Sequence, residues 1–97
     1  MELNKLVVYL CISGYIRSHF KEDKYELMLK ENATIKNLFE EVDKLMGKDL
    51  SKAIWNHDKK CFRGPVVVRV DGNIVKQESY NLKNGQVVEI SRLLVGG

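Results

Sequence analysis

The feature that most constrains this chain is a change of hydrophobic period between residues 30 and 35. Across Lys24–Lys30, Tyr25, Leu27 and Leu29 fall on one side while Lys24, Glu26 and Lys30 fall on the other. That is the two-residue period of a half-buried strand. Ile35, Leu38, Phe39, Val42, Leu45 and Met46 then form a single stripe at helical spacing. A strand with one apolar side and a helix with one apolar stripe bury each other, which points to an α+β layer. With 97 residues there is room for one such core, so the chain is expected to be one domain over residues 1–97.

The flanking segments complete the layer. Leu3–Ser13 is rich in Leu, Val, Ile and Tyr and predicts a buried strand, followed by a turn at Gly14. Tyr15–Asp23 is polar and mixed and predicts a long hairpin loop or a frayed strand start. Thr34 is placed to cap the helix and Gly47 to stop it, with Glu40, Glu41, Asp43 and Lys44 on the wet face. Leu50, Ile54 and Trp55 suggest a second short helical turn, and Asn56–Lys60 a polar loop. Pro65 suits a strand start, and Val66–Val70, Ile74–Gln77 and Val87–Leu94 predict further strands. Asp71-Gly72-Asn73 and Lys83-Asn84-Gly85 supply tight turns between them.

Composition narrows the function classes. A net charge of +3 is too mild to announce nucleic acid or an anionic membrane, and aromatics are not interleaved with the basic residues. The longest apolar run, Leu6–Ile12, falls short of the roughly 18 residues that a span requires. Neither a nucleic-acid nor a membrane partner is expected. Cys11 and Cys61 sit in no paired motif, as expected of a reduced chain in the cytoplasm. Cys11, inside an apolar run, reads as core. His57 and Cys61 are four apart but give only two ligands where zinc wants four, and His19 is remote, so no metal site is expected. Two cysteines also cannot hold a [2Fe–2S] cluster. Nucleophile-elbow, zincin and P-loop motifs are absent, and no bound cofactor is expected, so the chain does not read as an enzyme on its own.

The exception is Gly96-Gly97, directly after an apolar strand. At ordinary glycine usage two such residues close a chain by chance in roughly 0.5% of cases. They fit either an inert end or a reactive one. Without a Cβ, a Gly-Gly segment threads a channel too narrow for other residues, and its carboxylate is open to activation.

The element order, the Asp71-Gly72 turn, the run Leu82-Lys83-Asn84-Gly85-Gln86-Val87-Val88 and Gly96-Gly97 together resemble the MoaD/ThiS sulfur-carrier group. Asn32-Ala33-Thr34-Ile35 with Leu38, and Asn56–Val70 with Arg63-Gly64-Pro65, are similar to the same group. The resemblance implies a ubiquitin-like β-grasp fold: a mixed sheet of four to five strands crossed by one main helix. It implies that a partner adenylyltransferase, similar to those that activate ubiquitin, uses ATP to adenylate Gly97 and that the glycine then becomes a thiocarboxylate. The sulfur would pass to a synthase large subunit making molybdopterin. A carrier for thiamine or tRNA thiolation is the alternative, as is a ubiquitin-like modifier linked through Gly97 to lysine. The tail Ser91-Arg92-Leu93-Leu94-Val95-Gly96-Gly97 is nearer to those relatives. A passive β-grasp interaction domain is the alternative from another class.

Partner-binding residues are then expected around the tail. Arg92, Leu93, Leu94 and Val95 would line any channel that Gly96 and Gly97 enter, with one of Leu93 and Leu94 in the core by alternation. Met28 interrupts the polar side of its strand and is a candidate for an exposed apolar patch facing the same partner.

Overall fold

The computed structural model describes residues 5–92. The tail residues Leu93, Leu94, Val95, Gly96 and Gly97, and the start of the first expected strand, lie outside the described residues.

Strand β1 (Lys5–Gly14) turns back antiparallel into β2 (Lys24–Lys30), the first pair of the sheet. Helix α1 (Ile35–Met46) follows, then a small hairpin of β3 (Trp55–Asn56) and β4 (Cys61–Phe62). β5 (Val67–Val70), β6 (Asn73–Val75) and β7 (Val87–Arg92) complete the chain. The five-stranded sheet runs in the order β2-β1-β7-β5-β6. β7 lies at its centre, parallel to β1 and antiparallel to β5. This mixed sheet crossed by one helix is the β-grasp arrangement that the resemblance implies.

Alternation builds the two sides of the sheet. Leu6, Val8, Leu10 and Ile12 of β1 are buried, as are Leu27 and Leu29 of β2, Val70 of β5, and Val88 and Ile90 of β7. They meet Ile35, Leu38, Phe39 and Val42 of α1 in one core. β1 is therefore buried on one side and half-buried on the other, where its apolar composition predicts a buried strand. Cys11 goes with the open side: it is half-buried on the uncovered face, opposite Glu89 and Lys24, and so is not a core residue.

The helix begins as its sequence dictates. The Thr34 hydroxyl accepts from the Asn37 backbone N–H at 3.2 Å, and Asn37 Oδ1 accepts from the Thr34 N–H at 2.8 Å. This reciprocal box satisfies two amides that a first turn leaves free. Its far end departs from expectation. Gly47 has φ −58°, a helical value, and leads into a one-turn 3-10 helix at Gly47–Asp49. A Cβ there would stand 2.5 Å from Asp43 Oδ1, so any side chain would have to displace that carboxylate. Leu45, expected in the apolar stripe, is 53% exposed. At about 100° per residue it sits roughly 80° off the stripe's centre.

Two segments that read as polar connections carry core. Within the loop after β1, a 3-10 turn at Tyr15–His19 buries Ile16, and Phe20 is buried behind it. The expected second helical turn is a single turn, with the Ile54 and Trp55 N–H both donating to the Ser51 carbonyl at 3.1 and 3.0 Å, and it leads straight into the β3–β4 hairpin. Trp55, fully buried, packs edge-on to Phe62 and Phe39 with centroids 5.0 and 6.3 Å away. Its indole N–H donates to Asp43 Oδ1 at 2.9 Å, which draws that carboxylate off the wet face. Asp71 and Gly72 make the expected turn with φ of 51° and 88°. Asn84 contributes through its side chain, Oδ1 accepting from the Val7 N–H at 2.8 Å.

Candidate functional site

Ser91 and Arg92 are the last described residues of the central strand, and three segments converge there. Ser91 and Arg92 pair with Ser13 and Gly14 on one side, and Ser91 with Val67 on the other. Gly14 has φ +73°, and a Cβ on it would lie 2.5 Å from the Arg92 carbonyl oxygen. Both facts restrict the position to glycine: the left-handed region disfavours a side chain, and the strand end leaves no volume for one.

Arg92 closes the third side. Its Nε donates to the Pro65 carbonyl at 2.9 Å, and a second guanidinium nitrogen donates to the Arg63 carbonyl. The planar fork thereby pins the 63–65 loop to the end of β7. That loop is anchored at its other end by the aromatic cluster, since the Arg63 N–H donates to the Ile54 carbonyl at 2.8 Å beside buried Trp55 and Phe62. Arg92, expected along a partner's channel, has its guanidinium engaged within its own domain. Of the other expected tail residues, Leu93, Leu94, Val95, Gly96 and Gly97 lie outside the described residues.

The uncovered sheet face adjoins this strand end. Met28 is 57% exposed there, on the outer strand and far along the sheet from Arg92, opposite Val7. Tyr9 and Val87 form the next row and Ile74 lies at the opposite edge, paired with Arg69. Charges frame these apolar groups: Arg69 and Glu89 stand 3.9 Å apart, Ser13 Oγ donates to Glu89 Oε2 at 3.3 Å, and Lys24 Nζ lies 5.7 Å from the Tyr9 ring centre. Tyr9, Val87 and Ile74 were not singled out by sequence. The odd–even parity of β1 and β7 would have found the first two.

Among the described residues no catalytic constellation assembles elsewhere. Cys11 is on the open face while Cys61 is in the β3–β4 hairpin opposite Asn56, and both are free thiols. His57 occupies the turn of that hairpin and His19 the 3-10 turn after β1. Among the described residues no three His, Cys, Asp or Glu side chains gather as a metal site. Nor is any described helix long and apolar enough to cross a membrane.

No protein-family model and no curated protein matches this chain. Solved structures do. A Pyrococcus furiosus protein described as molybdopterin converting factor subunit 1 is 24% identical, with a TM-score of 0.68 over 92% of this chain and 99% of that one. The complex of subunits 1 and 2 of molybdopterin-converting factor from Helicobacter pylori matches at 17% identity and TM-score 0.57, over 95% of this chain and 100% of the other. Small archaeal modifier protein 1 from Methanosarcina acetivorans matches at 19% identity and TM-score 0.63, over 96% and 98%. The chain shares their fold along nearly its whole length.

Proposed function

We propose that this chain is a ubiquitin-like sulfur carrier that works with partner enzymes, its reactive group being the Gly97 carboxylate. One observation carries the proposal: Gly96-Gly97 follows the central strand of a β-grasp sheet by a few residues, in a fold shared with molybdopterin converting factor subunit 1. The resemblance of the 82–88 run and the 63–65 loop to the MoaD/ThiS group supports the same reading.

The chemistry follows from the carboxylate. Its delocalised charge repels nucleophiles, so it must first be activated. A carboxylate oxygen of Gly97 attacks the α-phosphorus of ATP on a partner adenylyltransferase, releasing pyrophosphate and leaving an acyl-adenylate. Sulfide displaces AMP to give the thiocarboxylate directly. A persulfide gives an acyl disulfide, which a second thiol cleaves to the same product. This chain contributes the Gly-Gly carboxylate, with Gly14 and Arg92 holding the end of β7 against the 63–65 loop. The partner's channel would exclude water from the adenylate. The open face around Met28, Tyr9 and Val87 offers the apolar contact for docking.

The acceptor we favour is the large subunit of molybdopterin synthase, supported by the fold shared with subunit 1 in the Helicobacter pylori complex of subunits 1 and 2. A second reading, favoured by the fold shared with small archaeal modifier protein 1, keeps the activation and changes the nucleophile. A lysine amine would attack Gly97 and form an isopeptide bond.

Intact mass after incubation with ATP, a cognate adenylyltransferase and a sulfur donor tests the proposal. Exchange of one oxygen for sulfur at Gly97 supports the carrier. Adenylation with lysine-linked Gly-Gly remnants on other proteins supports the modifier. No change, with an enzyme active on another carrier, rejects both in favour of an inert adaptor.

A further inference from the structure

β2 is an outer strand of the sheet, and one side of its backbone has no partner among the described residues. The pairing register identifies that side. Ile12 N–H donates to the Asp23 carbonyl at 2.8 Å, so even-numbered residues of β1 bond to odd-numbered residues of β2. Tyr25, Leu27 and Leu29 thus turn their amides inward to β1. Lys24, Glu26, Met28 and Lys30 turn theirs outward, and all four carry exposed side chains on the open face.

Such an edge invites strand addition, and lysines are a common guard against it. Here the guard is selective, because Glu26 stands between Lys24 and Lys30. We propose that the outer edge of β2 pairs antiparallel with β2 of a second copy of this chain, with Met28 opposite Met28 on the two-fold axis. In that register Glu26 of each copy faces Lys30 of the other. Shifting by two residues in one direction sets Lys24 against Lys30, and by four sets Glu26 against Glu26, so charge favours the proposed alignment over these. Lys30 contributes its N–H, since its carbonyl already accepts from Ala33 N–H at 3.1 Å. The axis stands perpendicular to the sheet, so both helices lie on one side of it. Leu45, 53% exposed, borders the same edge beside Glu26 and Leu27 and adds apolar surface there. Pairing covers Met28, the most exposed apolar residue of this edge. The contact is isologous, as a closed dimer requires.

An interface built on one short strand falls below the roughly 1,200 Å² of stable complexes, so the association is weak and needs a concentration series to about 1 mM. Sedimentation equilibrium on the full chain is expected to rise from 11.2 kDa towards twice that mass. E26K and K30E each place like charges at both symmetry-related sites and should raise the dissociation constant roughly tenfold. Mixed one to one, they restore both attractive pairs and should return a dimer of near wild-type affinity. That rescue cannot come from two misfolded variants, and far-ultraviolet circular dichroism of each checks its fold. A wild-type chain that stays at 11.2 kDa throughout, a dimer indifferent to either reversal, or a mixture that fails to associate would each overturn the proposal.

Discussion

Asp43 and Trp55 are joined across the helix–hairpin boundary: the indole N–H donates to the carboxylate at 2.9 Å, and the ring is fully buried. Gly47 borders the same carboxylate, and a methyl group there would stand 2.5 Å from Asp43 Oδ1 where the indole holds it. The three residues should therefore behave as a unit. Asp43→Ala leaves an indole N–H unpaired and should cost about 1–3 kcal/mol. Gly47→Ala would ordinarily gain up to about 1 kcal/mol at a helical φ, but here it displaces the carboxylate and should destabilise. In the Asp43→Ala background the same change should become stabilising. Urea denaturation of the four-member cycle reads the coupling, and additive effects would refute it.

The cap at the other end of α1 gives an independent measure. Thr34→Ala removes the hydroxyl that accepts from Asn37 N–H and should cost about 1 kcal/mol, whereas Thr34→Ser keeps an equally good capping hydroxyl and should be near neutral. Thermal denaturation separates the two, since 1 kcal/mol corresponds to roughly 4–8 °C in a domain of this size.

Those two ends show what the sequence could and could not reveal. Thr34, the stripe from Ile35 to Val42 and the alternation of Lys24–Lys30 are local patterns, and the structure follows them residue for residue. Gly47 looked like a stop because glycine often ends helices, yet its reason for being there is a carboxylate held in place by a residue eight positions on. Ile16, Phe20, Trp55 and Phe62 are likewise buried by tertiary contacts inside segments too short and too polar to show a period. At the candidate site Gly14 read as a turn. Its closeness to Arg92 depends on pairing between residues 78 positions apart, which no local pattern encodes.

That closeness makes the next prediction. Gly14→Ala drives a methyl group into the Arg92 carbonyl at a positive φ and should destabilise by more than about 1 kcal/mol. Hydrogen exchange should quicken most at Ser91, Arg92 and the 63–65 loop. Arg92→Lys keeps the charge but loses the fork to the Pro65 and Arg63 carbonyls, so it should loosen that loop about as much as Arg92→Ala. Full protection in the lysine variant would show that charge alone holds the loop.

The tail separates fold from chemistry. Among the described residues the core runs from Leu6 to Ile90, and glycine has no side chain to add to it, so removing Gly96-Gly97 should change stability by less than about 0.5 kcal/mol. Activation should nevertheless disappear, because no glycine carboxylate remains to attack ATP. Gly97→Ala is the more discriminating variant. It retains a carboxylate and adds one methyl group, so a wide channel would accept it and a narrow one would not. Pyrophosphate release with the cognate adenylyltransferase measures both variants. Loss in both, with an unchanged melting curve, is the outcome expected of a carrier. Undiminished release from the truncated chain would move the reactive group away from Gly97, and retention in Gly97→Ala alone would leave the carboxylate in place while removing the argument from channel width.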